Sequence, residues 1–315
     1  MRDGARRTVV ACSGGADSSA LLLALAGVGH DAVVVAHVVH DLRPERDALG
    51  DRDAAARLAA GLGLPFRDAR VRVRDRSGNE ESVAREQRLG ALGRIAGEVG
   101  ASYIATGHQA DDQLETVLMR LARGAGPAGL VGIRERRPIG GVVLVRPLLD
   151  QTRASCEDAC RRAGWAWRTD ATNADERRFR AAIRARVTPE LRALAPGIER
   201  RIGRTCRLLG ESASIVDGRA RELACLAETI EGGLRWDRGR LAREPGVVIG
   251  ALIRGTLVRR GVGADDVTGV RVEPVIDSIA DPMDTEKSFV FDGQRVAVRG
   301  GTVEILDHAE ERSDV

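Results

Sequence analysis

Ser13-Gly14-Gly15-Ala16-Asp17-Ser18 stands between a short β-branched run, Thr8 to Ala11, and an apolar stretch that begins near Ser19. These residue types suit one task, the gripping of an anion. Glycines let the backbone turn tightly and bring amide N–H groups close to a phosphate. A helix that follows adds its unpaired N–H groups and the positive end of its dipole. Ser13, Ser18 and Ser19 supply hydroxyl donors. Asp17 would repel a bare phosphate, so a carboxylate in this cradle calls for a bridging cation, most naturally magnesium. A plain helix cap made by Asp17-Ser18 is the simpler alternative; the preceding strand and the carboxylate together weigh against it.

A second constellation is Thr106-Gly107-His108-Gln109-Ala110-Asp111-Asp112-Gln113-Leu114-Glu115-Thr116. Asp112 and Glu115 are three apart, so at the start of a helix both carboxylates share one face. Such a pair can hold a cationic amino acid or help to hold a metal. The simpler alternative is acidic charge complementing the helix dipole, with Asp111 as the residue that starts the helix. His108 is neutral near pH 7 in its ordinary state and could transfer a proton.

Of the 49 basic residues only Lys287 is lysine, a bias that we read as genome composition. A Walker-type loop needs Gly-Lys-Ser/Thr after a glycine-rich turn, and Lys287 has no such turn before it. Having only 3 Trp, 1 Tyr and 4 Phe argues against an RNA-binding sheet that stacks bases on aromatics. Any anion must therefore be held by arginine, backbone amides or a metal. The net charge of +3 is modest, but arginines cluster. Residues 116–149 carry six arginines against Glu135, and residues 176–207 carry ten against Glu176, Glu190 and Glu199. Arg177, Arg180 and Arg184 recur at helical spacing beside Phe179, Ile183 and Val187, which suggests one packing face and one face offering guanidinium forks to phosphates. A solvated basic face is the alternative.

The five cysteines are odd in number and lack Cys-x-x-Cys spacing, which argues against a disulfide framework, a zinc ribbon and a thiol redox pair. Cys156 and Cys160 would share a helix face as small packing residues. His37, His40 and His108 could in principle form a zinc site, but they fall at different strand ends and need not converge. Leu21 to Val28 superficially resembles a signal-peptide core, yet it follows a polar turn and reads as a buried helix. No run approaches the ~18 apolar residues of a membrane span, so we expect a cytoplasmic protein.

The elements that must position these residues alternate in kind. Thr8 to Ala11, 32–38, 66–73 and 103–106 read as strands; 19–26, 48–62, 80–99 and 111–121 read as helices. Buried strands separated by helices predict an α/β fold with a doubly wound parallel sheet, in which ligands sit beyond the carboxyl ends of the strands. Residues 124–150 are Gly/Pro-rich and basic. Helices are expected over 152–163, 176–193, 197–230, 245–260 and 265–280. Asp292-Gly293 and Gly300-Gly301 punctuate a three-stranded antiparallel meander near the end. We expect a catalytic domain over 1–195, a helical linker over 196–230, a small α+β domain over 231–307 and a frayed acidic tail over 308–315.

SGGADS is similar to the phosphate loop of the PP-loop, or N-type, ATP pyrophosphatases. TGHQADDQLETVLMRLARGAGPAGLVGI resembles TGHHxDDQxETxLxRLxRGSGxxGLxGM of the tRNA(Ile)-lysidine synthetase family. His40-Asp41-Leu42-Arg43-Pro44 resembles that family's HxLRP segment. Asn79-Glu80-Glu81 with Ala84-Arg85 and Arg88 resembles its N-x-E-x-x-A-R-x-x-R helix, and Asp170, Asn173, Arg178-Phe179-Arg180, Ile183-Arg184 and Pro189 its D-x-[ST]-N…RNxIR…P segment. The resemblance spans about residues 8 to 197; residues 231–307 only weakly resemble the family's small tRNA-binding domain. Departures are Val39, Gln109, Ala125 and Ala181.

The resemblance implies ATP-dependent ligation of lysine to the wobble cytidine of a CAU-anticodon tRNA(Ile), through an adenylated intermediate. It implies ATP and Mg²⁺ at Cys12, Ser13, Gly14, Gly15, Ala16, Asp17 and Ser18, with His37 and Gly107 nearby and Asp17 on the metal. Catalysis falls to Asp17, His108, Asp112 and Glu115, with free lysine held by Asp112 and Glu115. Arg85, Arg123, Arg180 and Arg184 are expected on AMP phosphate or tRNA. A homodimer is left open. The alternatives are a tRNA 2-thiolation enzyme, which would want cysteine pairs; an amidotransferase-linked synthetase, which would need a glutaminase partner; and an inactive RNA-binding module, which predicts a degraded loop.

Overall fold

The computed structural model describes residues 7–29, 32–42, 44–74, 80–169, 179–263, 266–281, 283 and 286–308. Arg43, Asn79, Asp170, Asn173, Arg177, Arg178, the side chain of Glu81 and residues 309–315 of the acidic tail, all invoked above, lie outside the described residues. The chain divides into two compact units, one running to Gly124 and resuming over Leu130–Arg207, the other comprising Ala125–Gly129 and the chain from Leu208.

In the first unit the order is β1 (Thr8–Ala11), α1 (Ala16–Val28), β2 (Val33–His40), α2 (Glu45–Gly61), β3 (Phe66–Val71), α3 (Glu80–Glu98), β4 (Tyr103–Thr106) and α4 (Ala110–Ala122). After the short α5 (Pro127–Leu130) come β5 (Arg136–Ile139), β6 (Val142–Val145), α6 (Arg153–Arg162), α7 (Phe179–Ala182), a π-helical turn (Ile183–Val187) and α8 (Thr188–Leu194). The sheet order is β3-β2-β1-β4-β6-β5. Every neighbouring pair is parallel except β5 with β6. The expected doubly wound parallel sheet is present, with two strands more than the sequence suggested. The extra hairpin turns at Gly140-Gly141, both at positive φ (49° and 87°), as a tight turn between antiparallel strands requires.

Burial on both faces explains the β-branched composition of the central strands. Val10 and Val35 pack with Leu21, Leu22, Leu58, Cys156 and Cys160 on the side of α1, α2 and α6. Val9, Val34, Ile104 and Leu144 pack with Leu92, Ile95 and Ala96 of α3 on the other. The strand order reverses between β1 and β4, which are neighbours in register Ala11 to Thr106. Their carboxyl ends therefore open a crevice at the switch point of the sheet.

The expected helix over 176–193 is interrupted. Pro189 has no N–H and would crowd the carbonyl four residues back. The helix widens before it: Thr188 N and Oγ1 both reach the Ile183 carbonyl, the hydroxyl at 3.2 Å. The next helix, α9 (Ile198–Ala224), stops short of the expected 230.

In the second unit, β7 (Glu228–Ile230), β8 (Gly233–Asp237), α10 (Arg238–Leu241), α11 (Gly246–Arg259), α12 (Gly269–Ala280), β9 (Lys287–Phe291), β10 (Gln294–Arg299) and β11 (Thr302–Asp307) follow. The expected meander is part of a five-stranded antiparallel sheet, order β7-β8-β11-β10-β9. Leu252, Ile253 and Leu257 of α11 and Val272 and Val275 of α12 pack on Val296, Val298, Val303 and Ile305. No described helix is long and apolar enough to cross a membrane.

Candidate active site

The loop after β1 is held from both sides. Cys12 N donates to the Ala36 carbonyl at 2.8 Å, and His37 Nδ1 meets the Cys12 carbonyl at 2.8 Å, so β2 fixes where the loop begins. Burial keeps the His37 ring neutral by lowering its pKa, and burial pushes the Cys12 thiol up. Gly14 has φ +83°, and a Cβ there would stand 3.1 Å from the Asp51 carbonyl of α2. Gly15 caps α1. Ser18 is buried and turned onto the loop, its Oγ accepting from Ser13 N at 3.0 Å and lying 3.1 Å from the Gly15 carbonyl. The exposed Ser13 hydroxyl lies 3.0 Å from Ser18 Oγ. Ala16 opens the helix, so its N–H and that of Asp17 belong to the unpaired first turn.

Asp17 sits at that turn with Oδ1 buried and without a hydrogen-bond partner. Burial pushes its carboxyl up to about 6; Asp112 and Asp111 add to this, and Arg153 and the Gln109 side chain oppose it. Arg153 Nη2 lies 3.8 Å from Asp17 Oδ2. A buried orphan carboxylate oxygen beside helix N–H groups fits a hard cation bound jointly with phosphate. No group of three or more His, Cys, Asp or Glu among the described residues is disposed to hold a metal by itself, so the carboxylate would share such a cation with the ligand. His37, His40 and His108 accordingly do not form a site.

The second constellation packs directly against this loop. A Cβ on Gly107 would stand 2.8 Å from Ser18 N and 2.9 Å from the Asp17 carbonyl carbon; only glycine lets β4 pass so close to α1. Thr106 Oγ1 and His108 Nδ1 are 2.9 Å apart, which orients the ring. Burial, then Arg146, Arg88, Arg85 and Arg180, push His108 down to about 3. Helix α4 starts differently from expectation. Gln109, not Asp111, is the N-cap: its side chain accepts from Asp111 N, while Asp112 Oδ2 accepts from Gln109 N at 3.1 Å. Asp111 instead accepts from Arg153 N at 2.9 Å and pairs with Arg192.

Asp112 and Glu115 come together as their spacing predicts, and they meet two arginines. Arg180 Nη2 donates to Asp112 Oδ1 at 2.9 Å and Arg180 Nε to Glu115 Oε2 at 2.8 Å. Arg184 forks onto Glu115 through Nε at 2.6 Å and Nη2 at 2.8 Å. Glu115 is 1% exposed. Burial alone would raise its pKa, but the bonds from Arg184 and Arg180 outweigh it and hold the carboxyl low. Burial raises Asp112, with Arg180 opposing. Arg180 and Arg184 thus face the carboxylates in this structure, whereas sequence spacing pointed them at phosphate.

Arg85 lies exposed on α3, and its charge is felt at His108 and at Arg146. Arg146 is 2% exposed, and burial followed by Arg85 and Arg137 lowers its guanidinium to about 10. Arg123 ends α4 and lies 6.0 Å from the Phe179 ring centroid. Three residues at the site carried no earlier signal. Arg153 follows the Thr152 cap of α6. Arg168 N donates to the Gly14 carbonyl at 3.0 Å, and its Nε donates to Asp51 Oδ1 at 2.6 Å.

A strand-to-helix phosphate loop at the switch point of a parallel sheet, with an acidic pair on the next crevice wall, defines an ATP-utilising PP-loop protein, and residues 1–191 match the PP-loop domain. Within that class the chain belongs to the tRNA(Ile)-lysidine synthase family. It is 42% identical over 234 residues to the tRNA(Ile)-lysidine synthase of Salinispora tropica, covering 72% of this chain and 69% of that one. The Salinispora arenicola protein of the same name is 45% identical, over 67% of this chain and 65% of its own length. The Thermus thermophilus protein is 42% identical over 67% of this chain, but only 41% of its own length is matched. Among solved structures, the U34-tRNA thiolase NcsA of Methanococcus maripaludis shares the fold, with TM-score 0.54 and 20% identity over 67% of this chain and 74% of its own.

Proposed function

We propose that this protein joins lysine to C2 of the wobble cytidine in a CAU-anticodon tRNA(Ile), consuming ATP and releasing AMP and pyrophosphate. One observation carries the proposal beyond family membership: an acidic pair, the buried Glu115 and the half-buried Asp112, beside a phosphate loop. Such a neighbourhood suits a cationic amino acid next to a nucleotide.

In the first step the cytidine O2 attacks the α-phosphorus and the bond to pyrophosphate breaks. The loop from Cys12 to Ser18, its backbone amides and the first turn of α1 would bind the pyrophosphate portion and keep it in line. Asp17 would hold magnesium, which when bound neutralises charge on the departing phosphates. In the second step the lysine ε-amine attacks C2, the C2–O bond breaks with its oxygen and electron pair leaving on AMP, and the proton lost by the amine passes to solvent. Asp112 and Glu115 would bind the amino acid's positive charge and orient it. His108, held neutral and anchored through Nδ1, would accept a hydrogen bond at Nε2 from the attacking amine. Arg85, Arg88 and Arg146 would bring positive charge to the AMP side. The C-terminal α+β unit would contribute to holding the tRNA, and the work belongs to the cytoplasm.

Thiolation is the weaker reading. It needs a reactive thiol, yet burial pushes Cys156 up to about 12 and Cys160 up to about 11, which suits packing and not sulfur transfer. The direct test follows pyrophosphate release with tRNA transcripts. Release that requires Mg-ATP and a CAU anticodon supports the proposal; release unaffected by changing that cytidine contradicts it.

A further inference from the structure

The acidic pair is already neutralised by the protein's own arginines. Asp112 and Glu115 carry two negative charges, and Arg180 and Arg184 bring two positive ones. All four carboxylate oxygens accept hydrogen bonds: Oδ1 of Asp112 from Arg180, Oδ2 from Gln109 N, and both Glu115 oxygens from the arginines. A lysine ammonium arriving here would meet no net attraction and would leave a third cation unpaired in a buried place, which is costly.

The two arginines are not equivalent. Arg184 makes a two-bond fork onto the single carboxylate of Glu115, the stronger and more specific geometry. Arg180 divides its donors, one bond to each carboxylate. It sits in the four-residue α7, immediately before the π-helical turn. Its charge reaches His108, and that of Asp17 reaches Arg184, so the pair adjoins the phosphate loop. A guanidinium that bridges two carboxylates in this position has a competing partner as soon as phosphate enters the crevice.

We propose that Arg180 and the substrate ammonium are alternative occupants of the Asp112/Glu115 pair, so that lysine binds well only after a phosphate has drawn Arg180 away. Arg184 stays as the fixed orienting partner. The proposal rests on the assignment of lysine to this pair. It makes binding ordered, with the amino acid entering after the phosphate-bearing substrate. The phosphate belongs to the nucleotide or to the RNA, and the test separates them.

Lysine is titrated calorimetrically into the full chain alone, with α,β-methylene-ATP and Mg²⁺, and with a CAU-anticodon stem-loop. For the wild type, one of the two additions should strengthen lysine binding about tenfold, the effect of restoring one favourable charge contact. R180Q should bind lysine without either addition about as tightly as the wild type does with it, and should lose the enhancement. R180K, which keeps the charge but lacks the separate Nε and Nη2 donors that bridge the two carboxylates, should show the same change with a smaller factor. If neither variant improves lysine binding in the absence of phosphate, or if the enhancement survives in both, the proposal is overturned. E115Q separates the two ideas: unchanged lysine binding there would refute the lysine assignment itself, whatever Arg180 does.

Discussion

Gly107 lies against the backbone of Asp17, so close that one methyl group at Gly107 would stand 2.9 Å from the Asp17 carbonyl carbon. Contact at this point locks the start of α4 to the start of α1 and brings the phosphate loop and the acidic pair into one crevice. Gly107→Ala should therefore push β4 and α1 apart. We expect a loss of about 1–3 kcal/mol in stability, the usual cost of overpacking, and at least tenfold weaker ATP binding. Chemical denaturation and nucleotide titration measure the two effects.

Asp17→Asn should make the protein more stable and inactive. The Asp17 carboxyl is pushed up to about 6, chiefly by burial, from the ordinary aspartate value. A raised carboxyl favours the folded state at low pH, and that advantage is lost as pH rises through about 6. At pH 8 the ionised group therefore costs up to about 3 kcal/mol. The asparagine avoids that cost, so the variant's advantage should be absent below about pH 4, grow between about pH 4 and 6, and stay constant above about pH 6. Pyrophosphate release should fall to background throughout. Melting curves across pH check the first part; equal stability at pH 8 would refute it.

Arg168 and Asp51 clamp the back of the loop, from positions 117 residues apart. Their contacts are with the loop backbone and with each other, so we treat them as positioning residues. Arg168→Gln should raise KM for ATP about tenfold, the effect of losing one charge-assisted hydrogen bond, while kcat changes little. Asp51→Asn should do the same, and the double variant should be no worse than either single one, because both remove one interaction. Steady-state kinetics with varied ATP decides this.

Much of the crevice was legible in the sequence for a physical reason. Strand β1, the loop and α1 form one contiguous segment, and so do β4 and α4; their residues are juxtaposed by local structure alone. The β-branched runs gave the parallel sheet because strands buried on both faces have no other composition. Hairpins β5–β6 and β7–β8 were missed because arginines and glutamates interrupt their alternation on exposed edges. The arginines were legible as a helical face, but their carboxylate partners were not. Helical spacing places Arg180 and Arg184 on one face, yet says nothing of what that face meets; Glu115, over 60 residues earlier, is fixed only by tertiary packing. Arg153 and Arg168 were missed for the same reason.

Cysteine chemistry should be dispensable. Cys12, Cys156, Cys160 and Cys206 are buried and Cys225 is exposed. Iodoacetamide at pH 8 should label Cys225 first and leave the others until the protein unfolds, with lysine ligation intact. Mass mapping of the labelled peptides checks this; rapid labelling of Cys156 or Cys160 with loss of activity would favour sulfur transfer.

The central claim is the product itself. The protein is incubated with Mg-ATP, lysine and a CAU-anticodon tRNA(Ile) transcript, the RNA is digested to nucleosides, and their masses are measured. We predict that one cytidine gains the mass of lysine less one water and that AMP accumulates in equal amount. A cytidine left unchanged by lysine but altered when a sulfur donor is supplied would contradict it.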